Sequence, residues 1–596
     1  MFRENLVELY EESFKENWEK EAAKDYISSR QLTYGEYAAE IEKLHILYKE
    51  AGINIGDSIA VSGKNSIAWS LIYMSALTYG AVIVPILDEF HPKDITHIIN
   101  HSDAKLFFCD DDLWAKINFH DFEKLYGVIS LIDGKILDHK STSDFNAIFH
   151  TIPNKFKTTH PNGFNRESVK YLVRDKNDLA LLCYTSGTTS MTKGVMLTYN
   201  NLYGNVKFGR DNYQQRGITL KSTLCVLPLA HTYGAAFNLL VQLEWGAKIT
   251  FLGKIPSPNI ILEACKEAKP TLLFFVPLVF EKIYKNKIEP IIKKPFVARL
   301  LKTPLIGEMI YRVIGKKIYK ILGGSSLYEV IIGGAAINSE VEAFFHRARF
   351  PFLVGYGMTE CAPLISYRNH KEFVPTSVGL ALPGIMEVRI DKENETDMTG
   401  EIQTRGMNVM LGYYKEPEIT ADSFTDDHWL KTGDLGETDA NGNIYIKGRS
   451  KTMLLGTSGE NIYPEPIESK LANMPFVTEC IIVQHNNKLE AWIYPDIETK
   501  EKMSISDKKL IEIMNDNRKT LNHTLAKFEA ISSINISQTP FPKTPKRTLK
   551  RYETIEIINE EYALREEQTK KHAAEQIAKE KKEKKEKKNK HKKVTK

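Results

Sequence analysis

The chain has 596 residues, more than a single hydrophobic core organises, so two or more domains are expected. With 42% hydrophobic residues it can bury them, and its six cysteines (Cys109, Cys183, Cys225, Cys265, Cys361, Cys480) form no C-x-x-C pair, which argues against a zinc site and a secreted disulfide framework and fits a reducing cytoplasm. The formal charge of +4 is unevenly held: Lys579 to Lys596 carry eleven lysines against three glutamates, and that surplus of eight leaves everything before it at −4.

The first ten residues carry charges every few positions and no apolar core of the kind a signal peptide requires, so a cytoplasmic location is expected. Phe2, Leu6, Leu9, Phe14 and Trp18 have amphipathic spacing, and Leu32-Thr-Tyr-Gly-Glu-Tyr37 opens a helix that should run to about Glu50. Ile67 to Leu87 is uncharged and long enough to cross a bilayer. Gly80 and Pro85 interrupt it, however, and Ala81-Val-Ile-Val84 reads as a strand, so a buried helix turning into a core strand is expected. Helix and short apolar strand alternate as far as Leu106-Phe-Phe-Cys109, which predicts an α/β domain with a largely parallel sheet. The stretch from about Asp110 to Asp178 is less periodic and is read as connections and surface excursions.

The stretch that organises the chain comes next. Leu179-Ala-Leu-Leu-Cys-Tyr184 is an apolar run of strand length that breaks into Thr185-Ser-Gly-Thr-Thr-Ser-Met-Thr-Lys193-Gly-Val195. Gly187 lets the backbone turn its N–H groups inward, the hydroxyls of Thr185, Ser186, Thr188 and Thr189 can donate to phosphate oxygens, and Lys193 adds a mobile positive charge. Anion binding is therefore the first reading, and a plain surface turn is the alternative. A Walker A loop is disfavoured because Gly194, not a hydroxyl residue, follows the lysine.

Further on, Thr198 is a plausible N-cap. Cys225-Val-Leu-Pro-Leu-Ala-His231-Thr-Tyr-Gly-Ala-Ala236 is a strand that ends on a histidine followed by small residues, and Leu272 to Tyr284 reads as a buried strand and a helix start. From Lys285 to Lys320 ten Lys or Arg residues and two glutamates are interleaved with Phe296, Leu300, Leu301, Ile310, Tyr311, Ile314 and Ile318. This pattern suits either the solvated face of ordinary helices or peripheral contact with an anionic membrane surface. Gly333-Gly-Ala-Ala336 ends the strand Glu329-Val-Ile-Ile332 and precedes a capping box at Ser339-Glu-Val-Glu342. Glycines at a strand's carboxyl end let a flat ring approach the backbone, where ligands of open α/β sheets gather. Gly355-Tyr-Gly-Met-Thr-Glu360 repeats the strand-to-polar-loop pattern, and Trp429-Leu-Lys-Thr-Gly-Asp434 and Gly448-Arg449 follow. Strands at Glu479 to Val483 and Glu490 to Tyr494 then indicate a small α+β domain. After Glu560 a short helix decays into lysine-rich low complexity that cannot bury a core, and its lack of aromatic residues after Tyr562 gives no sign of base readout in a nucleic acid.

Taken in order, these segments resemble the adenylate-forming superfamily of acyl-CoA synthetases, peptide-synthetase adenylation domains and luciferases. The Leu272 to Tyr284 segment is similar to long-chain fatty acid-CoA ligases in particular. The resemblance implies a large N-terminal α/β domain over residues 1–450, a small mobile C-terminal α+β domain over 451–560 and a tail over 561–596. It implies ATP, Mg²⁺ and coenzyme A as the small molecules bound, and activation of a long-chain fatty acid as the reaction. A carrier-protein acceptor, an aryl acid or a nucleotide-binding scaffold without turnover stay open.

The resemblance also distributes roles. Thr185, Ser186, Gly187, Thr188, Thr189 and Lys193 hold phosphates, and Gly334, Ala335 and Ala336 receive adenine. Gly355, Tyr356, Gly357, Met358 and Thr359 continue the nucleotide site, with Tyr356 stacking on the base and Thr359 reaching the α-phosphate. Asp434 and Arg449 take the ribose, and Thr185 and Glu360 the metal. His231, Gly234 and Ala235 line the acyl pocket, Lys451 is the hinge, and Gly459 lies by the CoA channel. Lys193, His231 and Glu360 are catalytic. Where the family carries a further catalytic lysine this chain has Thr548, in Pro542-Lys-Thr-Pro-Lys-Arg-Thr-Leu-Lys-Arg551, so Lys550 or else Lys546 is expected to take its part. Ser190, Thr192 and Thr452 are smaller departures from the family pattern.

Overall fold

The computed structural model describes residues 4–140, 144–186, 192–455, 461–486, 488–543, 549–565, 567–568 and 571. The chain divides into two compact units, Met1–Met453 and Leu454–Lys596.

The first unit holds two large sheets. One has eight strands in the order Gly412–Tyr413, Thr192–Thr198, Leu179–Ser186, Val82–Ile86, Ser58–Ser62, Leu106–Cys109, Gly127–Ser130 and Ile136–His139. Its middle is parallel, while both edges turn antiparallel, including the hairpin that joins Leu179–Ser186 to Thr192–Thr198. The other has seven strands in the order Phe352–Val354, Glu329–Ile332, Leu272–Phe275, Ser222–Cys225, Lys248–Phe251, Glu21–Asp25 and Gln31–Thr33, parallel except for the last pair. Both parallel cores consist of fully buried Val, Ile, Leu and Phe runs, as sheets covered on both faces require. A four-stranded antiparallel sheet, Met386–Asp391, Gly400–Gly406, Leu430–Thr438 and Ile444–Arg449, completes the set that carries the candidate site.

Local signals set the boundaries. The helix Tyr34–Glu50 begins at Thr33 with a full capping box, and Tyr199–Gln215 begins likewise at Thr198 with Asn201. The uncharged stretch is a helix, Ile67–Tyr79, started by Ser66 and stopped by Gly80 in the left-handed region at φ 92°, followed by the strand Val82–Ile86. Eleven of that helix's thirteen residues are buried, and the hydroxyls of Ser70 and Thr78 donate to the carbonyls of Ile67 and Met74, which removes the cost of burying them. Among the described residues no helix is long and apolar enough to cross a membrane.

Two expectations need correction. The region read as connections between Asp110 and Asp178 contains the strands Gly127–Ser130 and Ile136–His139 and the helix Phe145–Thr159. Phe145, Ile148, Phe149 and Ile152 have helical spacing, but Pro153 inside the run and the polar flanks obscured it. The helix after Gly333 is also capped one residue earlier than expected: Asn338, not Ser339, accepts from the backbone of Glu340 and Val341.

The second unit is built on a three-stranded sheet. Val477–His485 and Lys488–Pro495 are antiparallel, and Ile531–Ile536 joins the latter in parallel. Strand alternation divides its residues cleanly. Cys480 and Ile482 pack with Ile467 and Leu471 of the helix Pro464–Leu471 and with Leu510 and Leu521 of Asp507–Asn522. Ile481, Val483 and Trp492 pack on the opposite side with Phe541 and Ile558.

Candidate functional site

The site grows from the carboxyl ends of the parallel strands. In the hairpin, Thr185 lies opposite Lys193 and Ser186 opposite Thr192, so the strand pairing holds both sides of the loop to one register. Gly187, Thr188, Thr189 and Ser190 lie outside the described residues. Lys193 extends its Nζ over the ring of Tyr413, 5.3 Å from the centroid, a cation–π geometry that aims the ammonium group. Tyr413 belongs to the edge strand Gly412–Tyr413, whose pairing with Val195 and Met196 places it beside the lysine.

The Tyr413 hydroxyl donates to Glu360 Oε1 at 2.9 Å, and the Met410 backbone N–H donates to the Glu360 carbonyl. Burial first, and then the Glu360 carboxylate, push the Tyr413 phenol well above its ordinary range, so it stays a donor. Glu360 sits on the short turn Thr359–Cys361, half-buried, with Thr359 buried beneath it. Two buried amides hold that turn: Asn205 donates to the Ala362 carbonyl and accepts from Leu364 N–H, and Asn408 donates to the Leu364 carbonyl.

Four residues before Glu360, Tyr356 is buried and donates from its hydroxyl to Asp434 Oδ2 at 2.6 Å. Asp434 is also the cross-strand partner of Arg449, whose Nε stands 2.7 Å from Oδ1. Burial and the Asp434 charge together raise the Tyr356 phenol, so the short bond keeps its proton on tyrosine. Gly357 is required where it stands, because a Cβ would lie 2.2 Å from the Pro363 carbonyl oxygen.

The turn after Glu329–Ile332 joins this group through backbone bonds. Gly355 N–H donates to Ile332 and Gly333 N–H to Phe275, so the two glycine-rich strand ends lie side by side. Gly334 is in the left-handed region at φ 90°, and Gly334, Ala335 and Ala336 are exposed, an open backbone shelf for a flat ring. Tyr233 lines its inner side, 3.4 Å from the position a Cβ of Gly333 would take, and donates from its hydroxyl to the Ile331 carbonyl. His231 caps the turn that carries Tyr233, with Nδ1 accepting from the Tyr233 backbone N–H. Gly234 is small for a backbone reason: a Cβ there would stand 2.2 Å from the Pro228 carbonyl oxygen. Ala235 opens a buried π-helical segment, Ala235–Leu240.

One path of contacts therefore runs Lys193, Tyr413, Glu360, and a second runs Tyr356, Asp434, Arg449, with three residues of chain between Tyr356 and Glu360. The sequence reading missed Tyr413, Tyr233 and the amides Asn205 and Asn408. Tyr413 had a visible signal in the aromatic pair Tyr413-Tyr414 beside glycine, whereas a buried supporting amide has none. Lys451 is exposed in the short turn Ser450–Thr452, next to the boundary between the units. In the second unit Lys550 precedes the helix 551–565, its backbone N–H bonds to the Pro542 carbonyl, and its Nζ lies 2.7 Å from Glu553 Oε1. Gly459, Lys546 and Thr548 lie outside the described residues.

Oxygen donors such as the Glu360 carboxylate and the Thr185 hydroxyl suit a hard cation. Among the described residues no group of three His, Cys, Asp or Glu side chains gathers to hold a metal.

The family of AMP-binding enzymes matches residues 10–414, and its C-terminal domain matches residues 451–563. The chain is 27% identical over 491 residues to the long-chain-fatty-acid–CoA ligase heimdall of Drosophila melanogaster, covering 77% of this chain and 70% of that protein. It is 26% identical to long-chain-fatty-acid–CoA ligase 1 of Saccharomyces cerevisiae, covering 73% of this chain and 67% of the yeast protein. Among solved structures, ATP-bound MatB from Rhodopseudomonas palustris superposes with a TM-score of 0.70 at 24% identity, over 94% of this chain and 99% of that one. The o-succinylbenzoate CoA synthetase of Bacillus subtilis in complex with ATP and magnesium superposes with a TM-score of 0.68 at 20% identity, over 92% and 98%.

Proposed function

Because the chain belongs to the AMP-binding enzyme family, we propose that it joins a carboxylic acid to coenzyme A through an acyl-adenylate, and that the acid is a long-chain fatty acid. The observation that carries the reading is the pair of contact paths, which join Lys193 to Glu360 through Tyr413 and Tyr356 to the Asp434–Arg449 pair, with Tyr356 and Glu360 on one short segment of chain. The long-chain substrate is supported by the names of the fly and yeast relatives.

In the first step an oxygen of the fatty carboxylate attacks the α-phosphorus of ATP in line, and pyrophosphate leaves. Lys193 and the loop hydroxyls neutralise charge as it spreads over the phosphates, and most of the remaining acceleration is positioning. Glu360 and Thr185 would hold Mg²⁺, which when bound supplies further charge neutralisation at the phosphate oxygens. Tyr413 orients two of these groups at once, since its ring lies under the Lys193 ammonium and its hydroxyl on Glu360. Gly334 to Ala336 and Tyr356 take the base, Asp434 and Arg449 the ribose, and His231 and Ala235 border the acyl chain. Both oxygens of Asp434 have partners, so ribose hydroxyls must share it with Tyr356 and Arg449. In the second step the thiol of coenzyme A attacks the acyl carbonyl, AMP leaves, and the thiol proton passes to solvent. Lys451 is assigned as the hinge whose turning separates the two steps in time, and Gly459 is assigned to coenzyme A.

The test is magnesium-dependent pyrophosphate release over a panel of fatty and aryl acids, with and without coenzyme A. Long-chain acids should be preferred, and thioester should form only when coenzyme A is present. Release with aryl acids alone, or thioester formed only on a carrier protein, would redirect the substrate assignment. A nucleotide-binding scaffold without turnover is the second reading, favoured by Thr548 at the usual lysine position. The pyrophosphate assay separates the two, since a scaffold releases none with any acid, and Lys550→Ala against Lys546→Ala then asks which lysine takes the part, neither doing so if neither variant slows adenylation. Because Gly234 is held by a backbone contact, Ala235→Leu is the cleaner probe of the acyl pocket and should shorten the preferred chain.

A further inference from the structure

The helix Pro304–Leu322 directs Gly307, Gly315, Ile318 and Leu322 into the first unit. Gly307 admits the preceding helix Pro295–Leu301 at close range, since a Cβ there would stand 2.5 Å from the Leu301 carbonyl oxygen, and the two helices form a hairpin. A solvated helix would present polar side chains on its outer face. Here the outer face carries Leu305, Met309 and Val313 at successive i, i+4 positions, 88%, 59% and 62% exposed, with Phe296 on the neighbouring helix 74% exposed. One exposed apolar side chain is ordinary, but a row of three on one helix, with an exposed phenylalanine on the helix that precedes it, needs a partner.

The charge around the row is one-sided. Ten Lys or Arg residues lie between Lys285 and Lys320 against two glutamates, and both acids are engaged, Glu289 with Lys293 and Glu308 with Arg347. Arg312 and Lys316 carry the basic face on into an open cavity of about 1020 Å³, where Lys221, Lys269, Arg349 and Lys371 join them and, among the described residues, no acidic side chain lines the wall. Thr271, Tyr328 and Pro351, which precede three parallel strands, also line it, so the cavity sits at the amino ends of the sheet whose carboxyl ends carry the nucleotide shelf.

We propose that this hairpin docks the first unit onto an anionic lipid bilayer. Phe296, Leu305, Met309 and Val313 enter the boundary between headgroups and acyl chains, and Arg312, Lys316 and the cavity cations hold the phosphate groups of lipids. A second copy of the chain is a poor occupant, because two such faces would oppose their positive surpluses. A nucleic acid would leave the apolar row without a partner.

The test uses the full chain and sedimentation with vesicles of phosphatidylcholine alone or mixed with phosphatidylglycerol. Binding is expected to the mixed vesicles and to weaken with salt. The triple variant Leu305→Ser/Met309→Ser/Val313→Ser keeps every charge, including those of the lysine-rich tail, and should bind at least about tenfold more weakly. Arg312→Gln/Lys316→Gln should lose roughly 10- to 100-fold. Phe296→Trp should show a blue-shifted emission component when mixed vesicles are added, and unchanged melting by circular dichroism should confirm that the variants fold. Undiminished binding by the serine variant, a Phe296→Trp signal indifferent to vesicles, or a dimer in solution that the serine variant converts to monomer would each overturn the proposal.

Discussion

Glu329 begins the strand Glu329–Ile332, Glu360 sits on a turn that follows its neighbour Phe352–Val354, and both receive hydrogen bonds from tyrosine. Glu329 is fully buried and saturated: Tyr213 and Tyr367 donate to Oε1 at 2.9 and 2.5 Å, and Asn369 and the His370 ring meet Oε2 at 3.2 and 2.9 Å. Glu360 is half-buried and, among the described residues, its carboxylate takes a single hydrogen bond, from Tyr413. A carboxylate has about four acceptor positions. When protein donors fill them the group braces the fold, and when most face an open strand end the group can hold a cation. Saturation, rather than burial or residue type, separates the structural acid from the candidate catalytic one.

The comparison predicts opposite phenotypes. Glu329→Ala leaves two phenols, an amide and an imidazole without their acceptor in the core, and should cost about 4 kcal/mol of stability in the first unit. Denaturation by urea reads this directly, and a loss under about 1 kcal/mol would mean that water or a rearrangement replaces the acceptor. Glu360→Gln should leave urea unfolding unchanged while slowing pyrophosphate release about 100-fold or more at saturating ATP, the scale on which single transition-state contacts act. If instead it destabilises the unit and spares turnover, the two carboxylates have been assigned the wrong way round.

Most of the fold and part of this contrast could be read in advance. Thr33, Thr198 and Gly80 mark helix ends through local chemistry, and Gly355 to Glu360 stands out as a polar loop after an apolar strand. What sequence cannot display is which distant side chains fill a carboxylate's lone pairs. Glu329 gave no sign of its role as a core brace, because Tyr213 and Asn369 are 116 and 40 residues away. The pair Tyr413-Tyr414 stood out, but its partners did not, since Tyr413 reaches Lys193 and Glu360 only through an edge strand of two residues. The helix Phe145–Thr159 was lost to Pro153, not to missing periodicity, and the strand Gly127–Ser130 is only four residues long.

A smaller effect tests how Glu360 is aimed. Tyr413→Phe retains the ring beneath Lys193 and removes only the hydrogen bond, so turnover should fall about tenfold, near what one bond to a charged group contributes. Tyr413→Ala removes both contacts and should fall further. Equal losses in the two variants would assign the whole effect to the hydroxyl and none to the lysine's seat on the ring.

Glu244 is an intermediate case and gives the subtlest prediction. It is nearly buried, its Oε1 lies 3.9 Å from Arg210 Nη1, and its Oε2 is buried without a hydrogen-bond partner among the described residues. Burial, only partly offset by Arg210, pushes its carboxyl from 4.5 up to about 7. The folded protein therefore keeps a proton on Glu244 over a range where the unfolded chain has released its own. As pH rises from about 4.5 to about 7 this group alone should lower stability, by at most about 3 kcal/mol, with no contribution below that window and a constant one above it. Glu244→Gln removes the titration, so the difference in stability between variant and wild type should grow in the variant's favour across the same window and then level off. A flat difference across the window would mean that Glu244 stays ionised in the folded protein, a result read without substrate or metal.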